Sequence, residues 1–260
     1  MIKFFRKIRY NLVEKNNAGK YFKYAVGEIV LVVIGILIAL QINNWNELRK
    51  EHLGEQVILR QLKKEFEANL QQLDQKVTIR ENLINEANDL LSYFGSSDSI
   101  EEDILLIKFA AIVPTTFDPV DKDLIGSGRI DNLKNQEVKQ LLTNWTTNVI
   151  QLQETEQMFL NYHENQIRPF MDKAGLTRNV AHYFWGQDQV MSLIDSDKAY
   201  NAIPGKSTIG PKMKEFLNNA QFESIITQTI SLNVFNNIES QTLRGHIEKI
   251  IEAIQKELED

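Results

Sequence analysis

The chain has 260 residues, a formal net charge of −6 and no cysteine. The absence of cysteine excludes disulfide frameworks, thiolate metal sites and thiol nucleophiles, and it fits either redox compartment. Seven basic residues and one acidic residue give residues 1–27 a charge of +6, whereas residues 29–260 carry −11. Because the long acidic part has no basic cluster, nucleic acid is not an expected partner.

The first element that the sequence predicts is a helix through an apolar segment. From Ile29 to Leu40 every residue is apolar except Gly35. As a helix, residues 24–45 measure about 33 Å, enough to cross a hydrocarbon core about 30 Å thick, with aromatic residues at both interfaces. A soluble core helix would normally show a polar stripe, which this segment lacks. We therefore predict a transmembrane helix over residues 24–45.

The residues on either side of this segment predict whether it is cleaved and how it is oriented in the membrane. A cleaved signal peptide fits less well, because the preceding polar stretch is long and no small residues stand at A-x-A spacing after the apolar run. Basic residues are concentrated before the segment, and the positive-inside rule then places residues 1–23 in the cytoplasm as a basic tail. Residues 46–260 become an extracytoplasmic domain. The expected location is the cytoplasmic (inner) membrane, single-pass, with the lipid bilayer as partner.

One face of the predicted span collects Glu28, Gly35 and Ala39, since a helix turns about 100° per residue. Gly35 and Ala39 form a small-xxx-small pair, which lets two helices approach closely. We take these three residues as a candidate transmembrane association face through which two copies of the chain would form a homodimer. The alternative is a plain anchor with Glu28 solvated at the headgroup boundary.

After the span, apolar residues recur at spacings of three and four, which predicts a long amphipathic helix with a coiled-coil seam. Arg80 is the one polar residue in that seam. Gly54 is the only residue that could interrupt a continuous helix from the span into the amphipathic stretch. The predicted buried residues are Leu59, Leu62, Phe66, Leu70, Leu73, Val77, Ile84, Ala87, Leu91 and Phe94.

The remaining sequence also predicts helices. Caps, prolines and glycines mark a short helix, an irregular proline-containing segment, a long helix that Asn135 caps, and a final long helix. In chain order we predict a short helix at Ile100–Val113, the irregular segment at Pro114–Asn135 and a long helix from its cap Asn135 to Gly175. A short helix near Gln189–Ile194, a helix that starts at Pro211 and a final long helix at Phe222–Leu258 follow. We therefore predict an all-α fold, with an N-terminal transmembrane helix followed by a helical bundle with three long helices.

The opening segment resembles a known family. Residues 1–47, with the basic tail and GEIVLVVIGILIALQINNWNE, are similar to the start of DUF6090, an uncharacterised family of bacterial membrane proteins. DLIGSGRIDNLKNQEVKQLL, residues 123–142, also resembles the Ser-Gly turn that leads into a helix in that family. The resemblance implies a single-pass bacterial membrane protein, and it carries over no activity and no site residues.

Motifs with known chemistry are weak in this sequence. PGKST, residues 204–208, resembles the end of a phosphate loop, but Tyr200 stands where that loop needs a glycine. The aromatic cluster AHYFWG, residues 181–186, could line a ligand pocket or touch the membrane face. The alternative is that its rings fill the end of the bundle, which is the default for aromatic rings. The four histidines show no metal-binding spacing and are His52, His163, His182 and His246. We predict no catalytic, cofactor-binding or metal residue.

These patterns favour a membrane-anchored interaction or scaffold protein without catalysis, bound to an unknown protein partner. The alternative is a sensory or ligand-binding module. It would signal through a membrane partner, because the expected tail is too short for an output domain. An enzyme with a site assembled from scattered residues is the third reading.

Overall fold

The computed structural model describes residues 18–96, 100–120, 127–186 and 204–259, and regular structure within these ranges is entirely helical. The predicted all-α class is confirmed for this part of the chain. The α-helices in chain order are α1 (Ala18–Ser92), α2 (Glu102–Ala110), α3 (Gln136–Tyr162), α4 (Arg168–Ala174), α5 (Thr177–Trp185) and α6 (Ala220–Glu259). Shorter elements are 3₁₀ turns at Ile130–Asn132 and Met213–Phe216, and a π-helical turn at His163–Ile167.

The division into helices differs from the expected one. The apolar segment and the first amphipathic stretch belong to a single helix, α1, which continues through Gly54. A lone glycine costs a helix only about 1 kcal/mol and does not end it without a capping arrangement. The predicted second long helix is instead divided by the π-helical turn. The helix predicted near residues 189–194 lies outside the described residues.

The chain divides into two compact units between Val57 and Ile58. In the first unit, the described residues are helical, and their apolar side chains are largely exposed, with Ile29 at 63% and Leu37 at 55%. The second unit contains the rest of α1 and all later helices, and its apolar side chains form buried clusters.

The second unit buries two apolar clusters. The first joins α1, α3 and α6 around Trp145, whose ring packs edge-on against Phe66 with 4.9 Å between ring centroids. The second joins the end of α1, the end of α3, α2, α4 and the start of α6 around Phe222, which stacks on Phe170 at 5.1 Å. Removing each such ring from water stabilises the fold by about 1.5–3 kcal/mol.

Buried polar residues stand between the two clusters along each of the helices that contribute to both. Arg80 occupies this place on α1, and Glu156 occupies it on α3. On α6 the buried polar residues are Asn233, Asn236 and Ser240. The core of the second unit therefore has an apolar, polar, apolar order along these helices.

The buried face of α1 follows a seven-residue repeat. Core positions seven residues apart are Phe66, Leu73, Arg80 and Ala87, and a second series contains Leu62, Asn69, Leu83 and Leu90. The prediction was wrong at four positions, since Leu70, Ile84, Leu91 and Phe94 are only partly buried. At the first three, the buried residue is the one before: Asn69, Leu83 and Leu90. A repeat of 3.5 residues per turn drifts against the 3.6 of a straight helix, so the residue that faces the core can shift by one position along the helix.

The segment after α2 is irregular in its described part, as its prolines predict. Its backbone is held by side chains of the neighbouring helices: the amide of Phe117 donates to Glu156 Oε2 at 2.8 Å, and the amide of Val120 donates to Asn69 Oδ1 at 2.8 Å. Backbone groups outside a helix need such partners when they are buried. This requirement explains why two polar residues occupy core positions of α1 and α3.

Candidate functional site

The candidate association face lies in the exposed apolar part of α1. Within the described residues, α1 is the one helix long and apolar enough to cross a membrane, with a mean hydropathy of 2.6 over its most apolar stretch and none of that stretch buried. A soluble core helix would be buried, whereas a membrane span or an N-terminal signal sequence would show this exposure. The apolar side chains of this stretch are therefore not buried within the described part of the chain.

Glu28, Gly35 and Ala39 stand on one side of this helix, at separations of seven and four residues. A Cβ atom placed on Gly35 would meet no atom within 4 Å. The glycine is therefore not required by packing within the chain, and a larger side chain would be accommodated there in a single copy.

A cavity of about 300 Å³ lies in the second unit, between the end of α2, the π-helical turn and α5. We call it the His163 cavity. Its walls are mostly apolar and are formed by Phe109, Ala110, Ile112, Val113, Ile167, Met171, Val180, Ala181 and Phe184, with His163, Arg168 and Thr177 as the polar members. This volume is at the lower end of the range for small-molecule sites.

The π-helical turn exists where a proline follows the long helix α3. Pro169 has no N–H, and in an α-helix its ring would collide with the carbonyl of Asn165, four residues earlier. The wider turn at His163–Ile167 precedes α4, which carries this proline in its first turn. Such wide turns are frequent at functional sites. Here the turn contributes His163 and Ile167 to the cavity wall.

A carboxylate bridges the two basic groups of the cavity. Glu164 Oε2 accepts a hydrogen bond from Arg168 Nη1 at 2.9 Å, and Glu164 Oε1 lies 3.4 Å from His163 Nδ1. Burial lowers the pKa of His163 below its usual range, although Glu164 acts in the opposite direction. The imidazole is therefore neutral near pH 7 and serves as a hydrogen-bonding group rather than as a charge.

The residues of the aromatic cluster at 181–186 face different surroundings. Ala181 and Phe184 line the His163 cavity, whereas Tyr183 packs against the second apolar cluster and Trp185 is exposed. The neighbouring His182 is not one of the residues that line the cavity. Its Nδ1 lies 2.8 Å from the carbonyl oxygen of Pro204.

The PGKST segment is a loop tied to helices α2 and α5. Lys206 Nζ pairs with Asp103 Oδ2 at 2.7 Å, and the amide of Ser207 donates to Asn179 Oδ1 at 2.7 Å. Arg178 Nε donates to the carbonyl oxygen of Gly205 at 2.7 Å. The lysine and one amide that a phosphate would need are thus engaged by the chain's own side chains. Across the described ranges, no group of three or more potential metal ligands comes together.

The sequence indicates only one member of the buried pair Arg80–Glu156. Arg80 stands out as a polar residue in the α1 seam, but no local pattern marks its partner. Glu156 follows Leu152 by four residues and precedes Phe159 by three, so it also occupies a core position of α3. Matching one charged seam residue on each helix would have suggested the pair.

Comparison with known proteins identifies a similar family. The model of DUF6090, a family of unknown function, matches residues 28–152. No curated protein and no solved structure matches the chain. The matched region contains the apolar segment, the rest of α1, α2 and most of α3, and it ends before the π-helical turn. The resemblance to DUF6090 is thereby confirmed for residues 28–47 of the opening segment and for residues 123–142, which both lie within the matched region.

Proposed function

We propose that the protein is a single-pass membrane-anchored interaction module without catalysis. Residues 24–45 cross the cytoplasmic membrane, the basic tail stays inside, and residues 46–260 form a helical domain outside that binds a protein partner. The observation that carries the proposal is the apolar stretch of α1, none of which is buried in the described part of the chain. The charge difference between the tail and the rest of the chain supports the orientation.

The anchor is tested by alkaline carbonate extraction of membranes from bacteria that make the full chain. The wild-type protein should remain in the membrane pellet. A variant with Val32→Arg, Ile36→Arg and Leu37→Arg should be extracted, because each arginine near the bilayer centre costs about 2.5–3.5 kcal/mol. The matched control places three arginines on the surface of the second unit, at exposed Ile107, Ile150 and Met158. Equal retention of both variants would contradict the anchor.

The scaffold role is tested by chemical crosslinking in native membranes, followed by purification of the full chain and quantitative mass spectrometry. One protein should be recovered with the wild-type chain in near-stoichiometric amount and lost with the three-arginine span variant. Recovery of the same proteins with both variants would show that the captured proteins do not depend on membrane anchoring. In that case the scaffold proposal fails.

A second candidate function is a ligand-binding module that signals through a membrane partner. The His163 cavity favours it, because a mostly apolar cavity with a few converging polar groups is the usual form of a small-molecule site. Ligand-dependent protection of the cavity would support this function, and a partner set that changes with ligand would connect it to signalling.

A further inference from the structure

We propose that the His163 cavity binds a small amphipathic carboxylic acid, with its apolar body between α2 and α5 and its carboxylate at Arg168 and His163. The inference rests on the second candidate function and specifies its ligand. The bound molecule is a medium-chain fatty acid or an aryl acid of similar size.

The size and the lining of the cavity indicate which apolar body a ligand can have. About 300 Å³ is enough for a chain of roughly ten carbons or for a substituted aromatic ring, and it is too small for a two-chain lipid. Phe109, Met171 and Phe184 supply aromatic and thioether surface that adapts to such a body. Apolar contact alone would not distinguish an acid from an alcohol of the same length.

The carboxylate preference comes from an arrangement that the chain itself displays. Glu164 already sets one carboxylate oxygen against Arg168 Nη1 and the other near His163 Nδ1. Both basic groups line the cavity, so a ligand carboxylate entering with its apolar body inside meets the same two groups. A guanidinium has five N–H donors and binds carboxylates in a two-pronged geometry, and Nη1 is the atom that Glu164 engages.

Glu164 is then an internal competitor rather than a ligand-binding residue. Its side chain is 46% exposed, so it is able to leave Arg168 and enter water when a ligand carboxylate takes its place. Removal of Glu164 should strengthen acid binding, whereas removal of Arg168 should weaken it. A purely apolar cavity would respond to neither change.

The test uses the full-length chain in phosphatidylcholine nanodiscs and two photoreactive probes. One is decanoic acid with a diazirine in its chain, and the other is the decanol with the same diazirine. After irradiation, labelled peptides are identified and quantified by mass spectrometry. The acid should label peptides from residues 163–184 in a saturable manner that excess decanoate suppresses, and it should exceed the alcohol at equal concentration.

Variants separate the polar and the apolar contributions. Arg168→Leu should reduce acid labelling about tenfold, the expected effect of losing a charge-assisted hydrogen bond, and should leave alcohol labelling unchanged. Glu164→Ala should increase acid labelling. Lys173→Leu, a charge removal at the other end of α4, is the matched control and should change neither. Ala181→Trp fills the cavity and should abolish both labels, with helical content checked by circular dichroism.

The outcomes distinguish two failures. If the alcohol labels the cavity saturably and the acid is no better, or if Arg168→Leu leaves acid labelling unchanged, the carboxylate inference is wrong while a ligand-binding module stands. If neither probe labels residues 163–184 above the exposed apolar residues Val234, Phe235 and Ile238, the ligand-binding function itself is wrong, and the membrane-anchored interaction module is unaffected.

Discussion

Arg80 Nη1 lies 2.6 Å from Glu156 Oε1, and both side chains are fully buried between the two apolar clusters. Arg80 Nη2 also donates to Ser240 Oγ at 2.7 Å, so one guanidinium connects α1, α3 and α6. Burial lowers the pKa of Arg80 and raises the pKa of Glu156, while their mutual attraction opposes both shifts. Each of the two buried charges is therefore stabilised by the other.

Glu156→Leu alone should lower the free energy of unfolding by about 3–5 kcal/mol, because it leaves the Arg80 charge buried without its counter-ion. The double variant Arg80→Met with Glu156→Leu should recover the part of this loss that comes from the unpaired charge, whereas the amide of Phe117 still lacks its acceptor. Urea unfolding of the full chain in a mild detergent, followed by circular dichroism, measures both changes.

The control for this cycle is Lys256→Ala, which breaks an exposed pair with Glu252 and should leave the unfolding midpoint unchanged. A double variant as unstable as the single variant would show that the Arg80–Glu156 pair stabilises the core directly, contrary to this account.

Asn135→Ala should destabilise the second unit by about 1 kcal/mol. Asn135 Oδ1 accepts a hydrogen bond from the amide of Val138 at 3.0 Å, as the sequence predicts for a residue that caps α3. Asn135→Ser retains a capping oxygen and should recover most of the loss in the same urea experiment. If the serine variant is as unstable as the alanine variant, the hydrogen bond from Asn135 to Glu257 matters more than the cap.

How much of this structure the sequence reveals depends on the kind of signal. The apolar segment, the Asn135 cap and the helical class follow from local patterns, and the structure contains them. Local patterns do not predict that Asn69, rather than Leu70, faces the core. The buried Asn69 accepts a hydrogen bond from the amide of Val120, which is 51 residues away in the sequence. The His163 cavity does not follow from local patterns either, because residues of α2, the π-helical turn, α4 and α5 form it together. Pro169 is the only local signal near it.

Stability should fall below about pH 6.5 through His163. Burial lowers the pKa of His163 in the folded chain, so the unfolded chain binds its proton at a higher pH. The contribution is therefore complete above about pH 6.5 and is lost as the pH falls toward the folded pKa. His163→Phe should show a smaller loss of melting temperature between about pH 7.5 and about pH 5.5. Equal losses in both proteins would contradict this assignment.

Gly35→Ile should abolish a crosslinked dimer in membranes, because close helix approach in lipid depends on small residues. The second unit should keep its melting temperature, since a side chain at Gly35 meets no atom of the chain. Val33→Ile, on another side of the helix, is the matched control and should retain the dimer. An undiminished dimer in Gly35→Ile would reduce residues 24–45 to a plain anchor.

The orientation of the protein in the membrane tests the central claim most directly, by protease digestion of intact spheroplasts that contain the full chain. The account predicts that the protease degrades residues 46–260 while the membrane is intact and leaves a small protected fragment that contains the span and the basic tail. A second unit that stays protected until the membrane is broken would contradict the proposed extracytoplasmic domain.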